Sequence, residues 1–138
     1  SIVRGTTSEQ IIDMAREVGA SKVYFASAAP PVRHPNVYGI DMPAVDEFIA
    51  NGKSVEEINT TIGSDKLFYQ RLDDLEEVTG HKESNIDGFD SSCFNGEYVT
   101  GDITQAYLDK LRDERNDASK QEKFVGDEQG IDMHNDQA

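Results

Sequence analysis

The sequence predicts an α/β fold in which helices flank a parallel sheet, and three neighbouring features near its start indicate this class. Apolar residues at positions 11, 12, 15 and 18 have the spacing of one face of a helix. A glycine turn rich in hydroxyl side chains precedes this helix, and a strand over residues 22–27 that is predicted to be mostly buried follows it. Because helix and strand alternate in this way in a βαβ unit, we expect a parallel sheet whose preceding strand lies before Ser1.

The opening stretch SIVRGTTS has the chemistry of a phosphate-binding loop. Gly5 can adopt a positive φ and allows a ligand to approach the backbone closely. Thr7 and Gln10 fit a capping box, so the helix is expected to begin here with its free N–H groups pointing outward. Arg4 would add a charged donor. The same residues also suit an ordinary loop and helix cap, and the lysine of a P-loop is absent, so both interpretations remain open at this point.

Composition limits the classes of partner. The chain has 138 residues, a single domain's length, with 13 Lys and Arg against 27 Asp and Glu, so its formal net charge is −14. This charge argues against nucleic acid or an anionic membrane as a general partner. No apolar run reaches the ~18 residues that a membrane-spanning helix needs. The single cysteine, Cys93, cannot form an intrachain disulfide, which fits a reducing cytoplasm.

The middle of the chain is predicted to supply a second helix and strand. Residues 44–50 suggest a short helix with Phe48 facing inward. Ser54 opens a second capping box, and the helix that follows is expected to end at Gly63. A short strand is predicted over residues 67–69.

The last third of the chain is predicted to be helical and then disordered. A helix with Leu72, Leu75 and Val78 on its apolar face precedes a loop-rich stretch over residues 80–97. Apolar residues at 103, 107, 108 and 111 mark a final helix. Charge dominates afterwards, so we divide the chain into a folded part, 1–111, and a charged tail, 112–138, that is frayed or disordered.

Few residues outside the opening stretch suggest a catalytic, ligand-binding or metal-binding role. Asp41 lies near the end of a short strand or turn, where ligands of open α/β sheets bind, although an aspartate in a loop or cap is the commoner case. The acidic residues around positions 87–95 lack the spacing of a calcium-binding loop. The three histidines are scattered, and no nucleophile, histidine and acid form a set. We therefore assign neither catalytic residues nor metal ligands.

The opening stretch and the segments after it resemble one family closely. "SIVRGTTS" is followed by "IIDMAREVGASKVYFASAAPPVRHPNVYGIDMP", and later by "IANGKSVEEI", "CFNGEYVTGDI" and "IDMHND". Together these resemble the C-terminal part of the phosphoribosyltransferase domain of the amidophosphoribosyltransferase family, over nearly the whole chain. The resemblance implies part of a type I phosphoribosyltransferase fold, a parallel sheet with flanking helices, followed by C-terminal helices.

The resemblance also implies a substrate site. In the family, two acidic residues stand directly before the equivalent of Ser1, facing the ribose hydroxyls of phosphoribosyl pyrophosphate near its Mg²⁺. Magnesium ligands are therefore expected upstream of Ser1. The loop after them surrounds the sugar's terminal phosphate. Carried over by position, that phosphate loop comprises Arg4, Gly5, Thr6 and Thr7, flanked by Ser1 and Ser8.

The activity implied for the whole enzyme opens de novo purine synthesis. Glutamine is hydrolysed in one domain, and its ammonia passes through an internal channel to attack phosphoribosyl pyrophosphate. Phosphoribosylamine, pyrophosphate and glutamate result. Phe48 lies where the family tends to have an apolar residue near that channel, and core packing accounts for it equally well. Since the metal-facing acids and the ammonia source are absent from this sequence, we expect no turnover by the chain alone.

Regulation and cofactors are further implications. Purine nucleotides inhibit the family at the phosphoribosyl site and a neighbouring one, for which Asp41, Pro43 and Tyr98 are candidate wall residues. Some members carry an iron–sulfur cluster on several cysteines, whereas Cys93 stands alone here, so no such cluster is expected. The family also suggests a homo-oligomer. Two alternatives are a phosphoribosyltransferase that acts on a free nucleobase and a non-catalytic acidic interaction domain.

Overall fold

The computed structural model describes residues 1–80, 85 and 87–132. Residues 81–84, 86 and 133–138 lie outside it, and they include parts of the predicted loop and of the predicted tail. The elements in chain order are α1 Thr6–Glu17, β1 Tyr24–Ser27, a 3₁₀ turn Val45–Glu47, α2 Val55–Ile62, β2 Lys66–Tyr69, α3 Leu72–Val78, α4 Ser92–Asn95 and α5 Gln105–Asp132.

The two strands form a parallel pair, as the sequence predicts. Tyr24 lies opposite Lys66 and Ser27 opposite Tyr69. Strand β1 is shorter than the predicted residues 22–27, and it is not mostly buried, since Tyr24 is 66% exposed. The reason is that side chains alternate between the two faces of a strand, and only one face of this sheet packs on the described core.

One hydrophobic cluster joins the sheet to its helices. Ile12 of α1, Ile58 and Ile62 of α2 and Leu67 of β2 are all buried in it. The segment at the start of the chain also contributes, through Ile2. Helix α1 contacts α2, and α2 contacts β2, so the helices and the sheet form one packed unit. The cluster continues into residues of the central loop, Ile49 and Ala50.

The two main helices begin differently. The predicted capping box of α2 is confirmed, because Ser54 Oγ accepts from the Glu57 N–H at 3.2 Å and Glu57 Oε2 accepts from the Ser54 N–H at 2.7 Å. The predicted capping box at Thr7 is wrong. Helix α1 already begins at Thr6, with Gly5 at its N-cap, so Thr7 lies inside the first turn and no side chain caps the helix.

The predicted helix over residues 44–50 is also wrong, since only the 3₁₀ turn Val45–Glu47 forms. At Phe48 the backbone becomes extended, and the Ile49 N–H then donates to Val3 O at 2.7 Å. That contact with the start of the chain takes the place of a further helical turn. Phe48 is nonetheless buried, at 3% exposure.

The final helix does not end near the predicted domain boundary. Helix α5 continues past residue 111 without interruption to Asp132. Charged residues such as Lys and Glu are good helix formers, and a Lys110–Glu114 pair at the i,i+4 spacing adds local support. None of the helices in the described part of the chain is long and apolar enough to cross a membrane.

We expect Ile58→Ala to lower the free energy of unfolding by about 2–5 kcal/mol, because it removes a fully buried side chain of α2 and leaves a cavity. Urea denaturation monitored by circular dichroism measures the change. Val18→Ala is the control, since that side chain is 87% exposed and its loss should change stability by less than about 0.5 kcal/mol. Equal effects of the two substitutions would contradict the assignment of the core.

Candidate phosphate-binding site

The opening residues line one side of a cavity of about 330 Å³. All six residues predicted for the phosphate loop border this space. Two of the predicted wall residues, Asp41 and Pro43, border it from the opposite segment, together with Met42. The structure thus places the loop beside the end of the segment Asn36–Pro43, which we call the wall, although the two lie about forty residues apart in the sequence.

Gly5 makes the loop possible. Its φ is +90°, in the left-handed region that residues with a side chain rarely adopt. It is also buried against Ile49, and a Cβ at this position would collide with the Ile49 Cδ1 atom. Both the backbone conformation and the packing therefore require glycine here.

The first turn of α1 presents unpaired backbone donors. The first helical hydrogen bond is donated by the Glu9 N–H to Gly5 O, at 2.9 Å. Among the described residues, the N–H groups of Thr6, Thr7 and Ser8 have no hydrogen-bond partner. These groups form the positive end of the helix dipole, and such ends bind phosphate oxygens.

Arg4 is held at the rim of the loop. Its Nε donates to Glu47 Oε2 at 2.8 Å, from the turn Val45–Glu47. The Arg4 side chain is half exposed, so this pair contributes little to stability. Arg4 lines both the 330 Å³ cavity and a second one of about 310 Å³ beside it.

The wall is shaped by a residue that the sequence analysis missed. Asn36 is 2% exposed, and its Oδ1 accepts from the N–H groups of both Tyr38 and Ile40, each at 2.9 Å. An asparagine bonded to the backbone after it is a common turn arrangement. The signal was present in the sequence NVYG, where asparagine precedes a glycine by three positions.

Two predicted site residues lie elsewhere. Tyr98 does not line the 330 Å³ cavity but a separate one of about 530 Å³. Its hydroxyl donates to Pro35 O at 2.9 Å, so it supports the wall from behind, and burial raises the pKa of its phenol. Phe48 lines none of the cavities described here, and the structure shows it only as a buried packing residue.

The described residues offer little metal or redox chemistry. No group of three His, Cys, Asp or Glu side chains in this part of the chain could hold a metal ion. Burial raises the pKa of the Cys93 thiol, which lies 3.9 Å from the Met42 sulfur. A thiol with a raised pKa is less reactive at neutral pH, so Cys93 is best explained as a packing residue behind the wall.

His34 gives the wall region a pH dependence. Burial, and then the charge of Arg33, lower the pKa of His34 below its ordinary value of 6.5. Its ring lies against Gly96, where a Cβ would come within 2.9 Å of Cε1. The backbone N–H groups of Arg33 and His34 both donate to Cys93 O, so these hydrogen bonds attach the chain just before the wall to α4.

We expect Gly5→Ala to destabilise the chain by roughly 2–5 kcal/mol, since it combines a strained φ with overpacking against Ile49. Gly52→Ala is the matched control. Gly52 also has a positive φ, of 64°, but nothing lies within 4 Å of its Cβ position. Urea denaturation should therefore show the smaller loss for Gly52→Ala, and a larger loss there would refute the close packing of the loop.

Protonation of His34 should destabilise the fold. Because the folded-state pKa is lowered, the neutral ring stabilises the native state above pH ~6.5, and this contribution is lost as the pH falls. We expect the free energy of unfolding to drop between pH 7.5 and pH 5, and to drop less in His34→Gln. Asp and Glu titrate near pH ~4, largely below this window. Identical pH profiles for both chains would rule out the effect.

Curated relatives match the chain over nearly its whole length. No protein-family model matches it. The amidophosphoribosyltransferase of Pasteurella multocida is 55% identical over 136 residues, 99% of this chain and 27% of the relative. That of Escherichia coli is 54% identical over the same length, and that of Saccharomyces cerevisiae 40% identical over 135 residues. The chain therefore spans about a quarter of the length of these relatives.

Solved structures agree with the sequence matches. The glutamine phosphoribosylpyrophosphate amidotransferase of Bacillus subtilis, in complex with ADP and GMP, superposes with a TM-score of 0.64 at 39% identity. The match covers 78% of this chain and 25% of that one. A structure of the allosteric regulatory enzyme of purine biosynthesis gives a TM-score of 0.65 at 42% identity. Fold and sequence together show that this chain is homologous, along nearly its whole length, to part of the amidophosphoribosyltransferases.

Proposed function

We propose that the chain holds the 5-phosphate of phosphoribosyl pyrophosphate within an amidophosphoribosyltransferase. The observation that carries this proposal is the first turn of α1, where the N–H groups of Thr6, Thr7 and Ser8 are unpaired beside a 330 Å³ cavity. A phosphate monoester offers the oxygens and the negative charge that these donors can bind. The hydroxyls of the same three residues supply further donors.

The role of these residues is to position the substrate. The backbone donors fix the phosphate, and the sugar attached to it is thereby fixed relative to the attacking group. Phosphate anchoring far from the broken bond supplies binding energy that orients the reacting carbon. No side chain of the loop forms or breaks a bond in this proposal.

The reaction itself is proposed for the longer protein. The named relatives are amidophosphoribosyltransferases, and their chains extend well beyond the part matched here. In that context ammonia from glutamine would replace pyrophosphate on the ribose and give phosphoribosylamine, the first step of purine synthesis. We further propose a cytoplasmic homo-oligomer for the whole enzyme.

No group of three His, Cys, Asp or Glu side chains among the described residues could hold a metal ion. Mg²⁺ usually needs only one or two carboxylates beside the substrate phosphates, and we propose that acidic residues upstream of Ser1 supply them for phosphoribosyl pyrophosphate. An iron–sulfur cluster needs several cysteine ligands, and Cys93 is the single cysteine of this sequence. We therefore derive no step through either group.

The wall is proposed to contact purine nucleotides. Asp41 and Pro43 face the phosphate loop across the cavity, so a nucleotide whose phosphate sits in the loop would lie along them. The Bacillus subtilis relative was solved with ADP and GMP, which supports nucleotide binding in this family. Tyr98 would act on the wall indirectly, through its bond to Pro35 O.

Titration of the chain with ribose 5-phosphate tests the proposal. We expect the amide resonances of Thr6, Thr7 and Ser8 to shift, while those around the capped start of α2, Ser54 to Glu57, stay in place. The double substitution Thr6→Ala and Thr7→Ala should weaken binding by roughly a hundredfold, because it removes two hydroxyl donors to a charged group, each worth at least ~1.5 kcal/mol.

The matched control is Thr60→Ala with Thr61→Ala on α2. Both of these hydroxyls donate to carbonyls of their own helix, so their loss should leave the affinity unchanged. Shifts confined to residues away from α1, or equal losses of affinity in the two double variants, would contradict a phosphate site at this loop.

A further inference from the structure

A long-range hydrogen bond joins helix α5 to the wall. Arg115 Nη2 donates to Asn36 O at 3.2 Å, although the two residues are 79 positions apart in the sequence. Asn36 is the buried residue whose Oδ1 holds the N–H groups of Tyr38 and Ile40. The guanidinium group therefore contacts the residue that determines the path of the wall.

Arg115 also fills space beside the wall. It borders two cavities, one of about 310 Å³ that it shares with Arg4 and Pro43, and one of about 320 Å³ that it shares with Asn36. Asp41 lines both of these cavities and the phosphate cavity as well. Removal of this side chain would enlarge both cavities and break the hydrogen bond that joins α5 to Asn36 O.

The neighbouring residue of α5 makes a parallel contact. Asn116 Nδ2 donates to Asp46 Oδ2 at 3.0 Å, in the turn Val45–Glu47. The next residue in that turn, Glu47, accepts the hydrogen bond from Arg4. Consecutive residues of α5 thus bind the wall and the turn Val45–Glu47, whose Glu47 accepts the hydrogen bond from Arg4.

The hydrogen bonding of Arg115 is incomplete. Its Nη1 is buried and has no hydrogen-bond partner among the described residues. A buried N–H without a partner opposes stability, so a side chain selected only to fasten α5 would be expected to use this group too. The unpaired Nη1 is therefore consistent with a side chain whose conformation is determined by the hydrogen bond from Nη2 to Asn36 O.

We propose that Arg115 is a positioning residue that holds the Asn36–Pro43 wall at the correct distance from the phosphate loop for a purine nucleotide. This inference rests on the proposed function of the loop. It separates two contributions to binding: the loop alone binds a phosphate group, while the wall, and with it Arg115, is needed for the rest of the nucleotide.

The test uses the full 138-residue chain with inorganic phosphate and GMP as probes. We expect Arg115→Ala to weaken GMP binding roughly tenfold and to leave phosphate binding within about twofold. Arg115→Lys should restore most of the GMP affinity, because an ammonium group can still donate to Asn36 O. Arg112→Ala is the control, since Arg112 pairs only with Asp109 and Asp113 of its own helix among the described residues.

Hydrogen exchange supplies a readout that does not depend on ligand. The amides of Tyr38 and Ile40 should exchange faster in Arg115→Ala than in the wild type, and Arg112→Ala should leave them unchanged. Equal loss of phosphate and GMP affinity, unchanged GMP affinity, or a lysine variant no better than alanine would overturn the inference.

Failure of the proposed function is distinguishable from failure of this inference. If the wild type binds neither probe, the loop proposal fails, and the exchange rates of Tyr38 and Ile40 alone decide whether Arg115 positions the wall. Should Arg115→Ala not fold, Arg115→Gln takes its place. A glutamine variant that also fails to fold would show a role in global stability and overturn the positioning role.

Discussion

The left-handed turn at Gly5 is the constraint on which the rest of the site depends. Ile49 packs where any side chain at this position would lie, and the Ile49 N–H bonds to Val3 O on the other side of the same turn. The hydrophobic cluster therefore reaches the loop directly, through Ile2 and Ile49. Because the turn is fixed by the core, the direction of α1 follows from it, and with that direction the place of its first N–H groups beside the cavity.

The contrast between α1 and α2 shows what this turn achieves. Helix α2 has a complete capping box, so its first donors are used within the protein. Helix α1 has a glycine at its N-cap and no side-chain cap, so its donors stay available beside a cavity. A cap typically contributes ~1 kcal/mol, and its absence at α1 is consistent with a helix start that is kept open for a ligand.

Local signals in the sequence were sufficient to predict much of this fold and to suggest the loop side of the candidate site. The capping box at Ser54, the helix end at Gly63 and the parallel pairing of the two strands follow from spacing over a few residues. Adjacent residues, Gly5 and the hydroxyls after it, also suggested the loop, and its assignment to phosphate came from the family resemblance and stays a prediction. The misassigned cap at Thr7 differs by two residues from the true one, because a glycine in a left-handed turn leaves no side-chain signal.

The other side of the site depends on contacts that spacing cannot reveal. Phe48 leaves the helical path because Ile49 bonds to Val3, which lies more than forty residues away. Arg115 could not be linked to Asn36 from sequence alone, since 79 positions separate them and charged residues in α5 otherwise suggest a solvated face. Tyr98 was predicted as a wall residue from the resemblance, and the structure places it beside a separate cavity, where its hydroxyl donates to Pro35 O.

The central claim is that the start of α1 forms the phosphate site. A crystal structure of the chain grown with ribose 5-phosphate tests it most directly. The account predicts phosphate oxygens ~3 Å from the backbone nitrogens of Thr6, Thr7 and Ser8, with Gly5 unchanged in its left-handed turn. A phosphate bound elsewhere, with these nitrogens facing solvent in the same crystal, would contradict it.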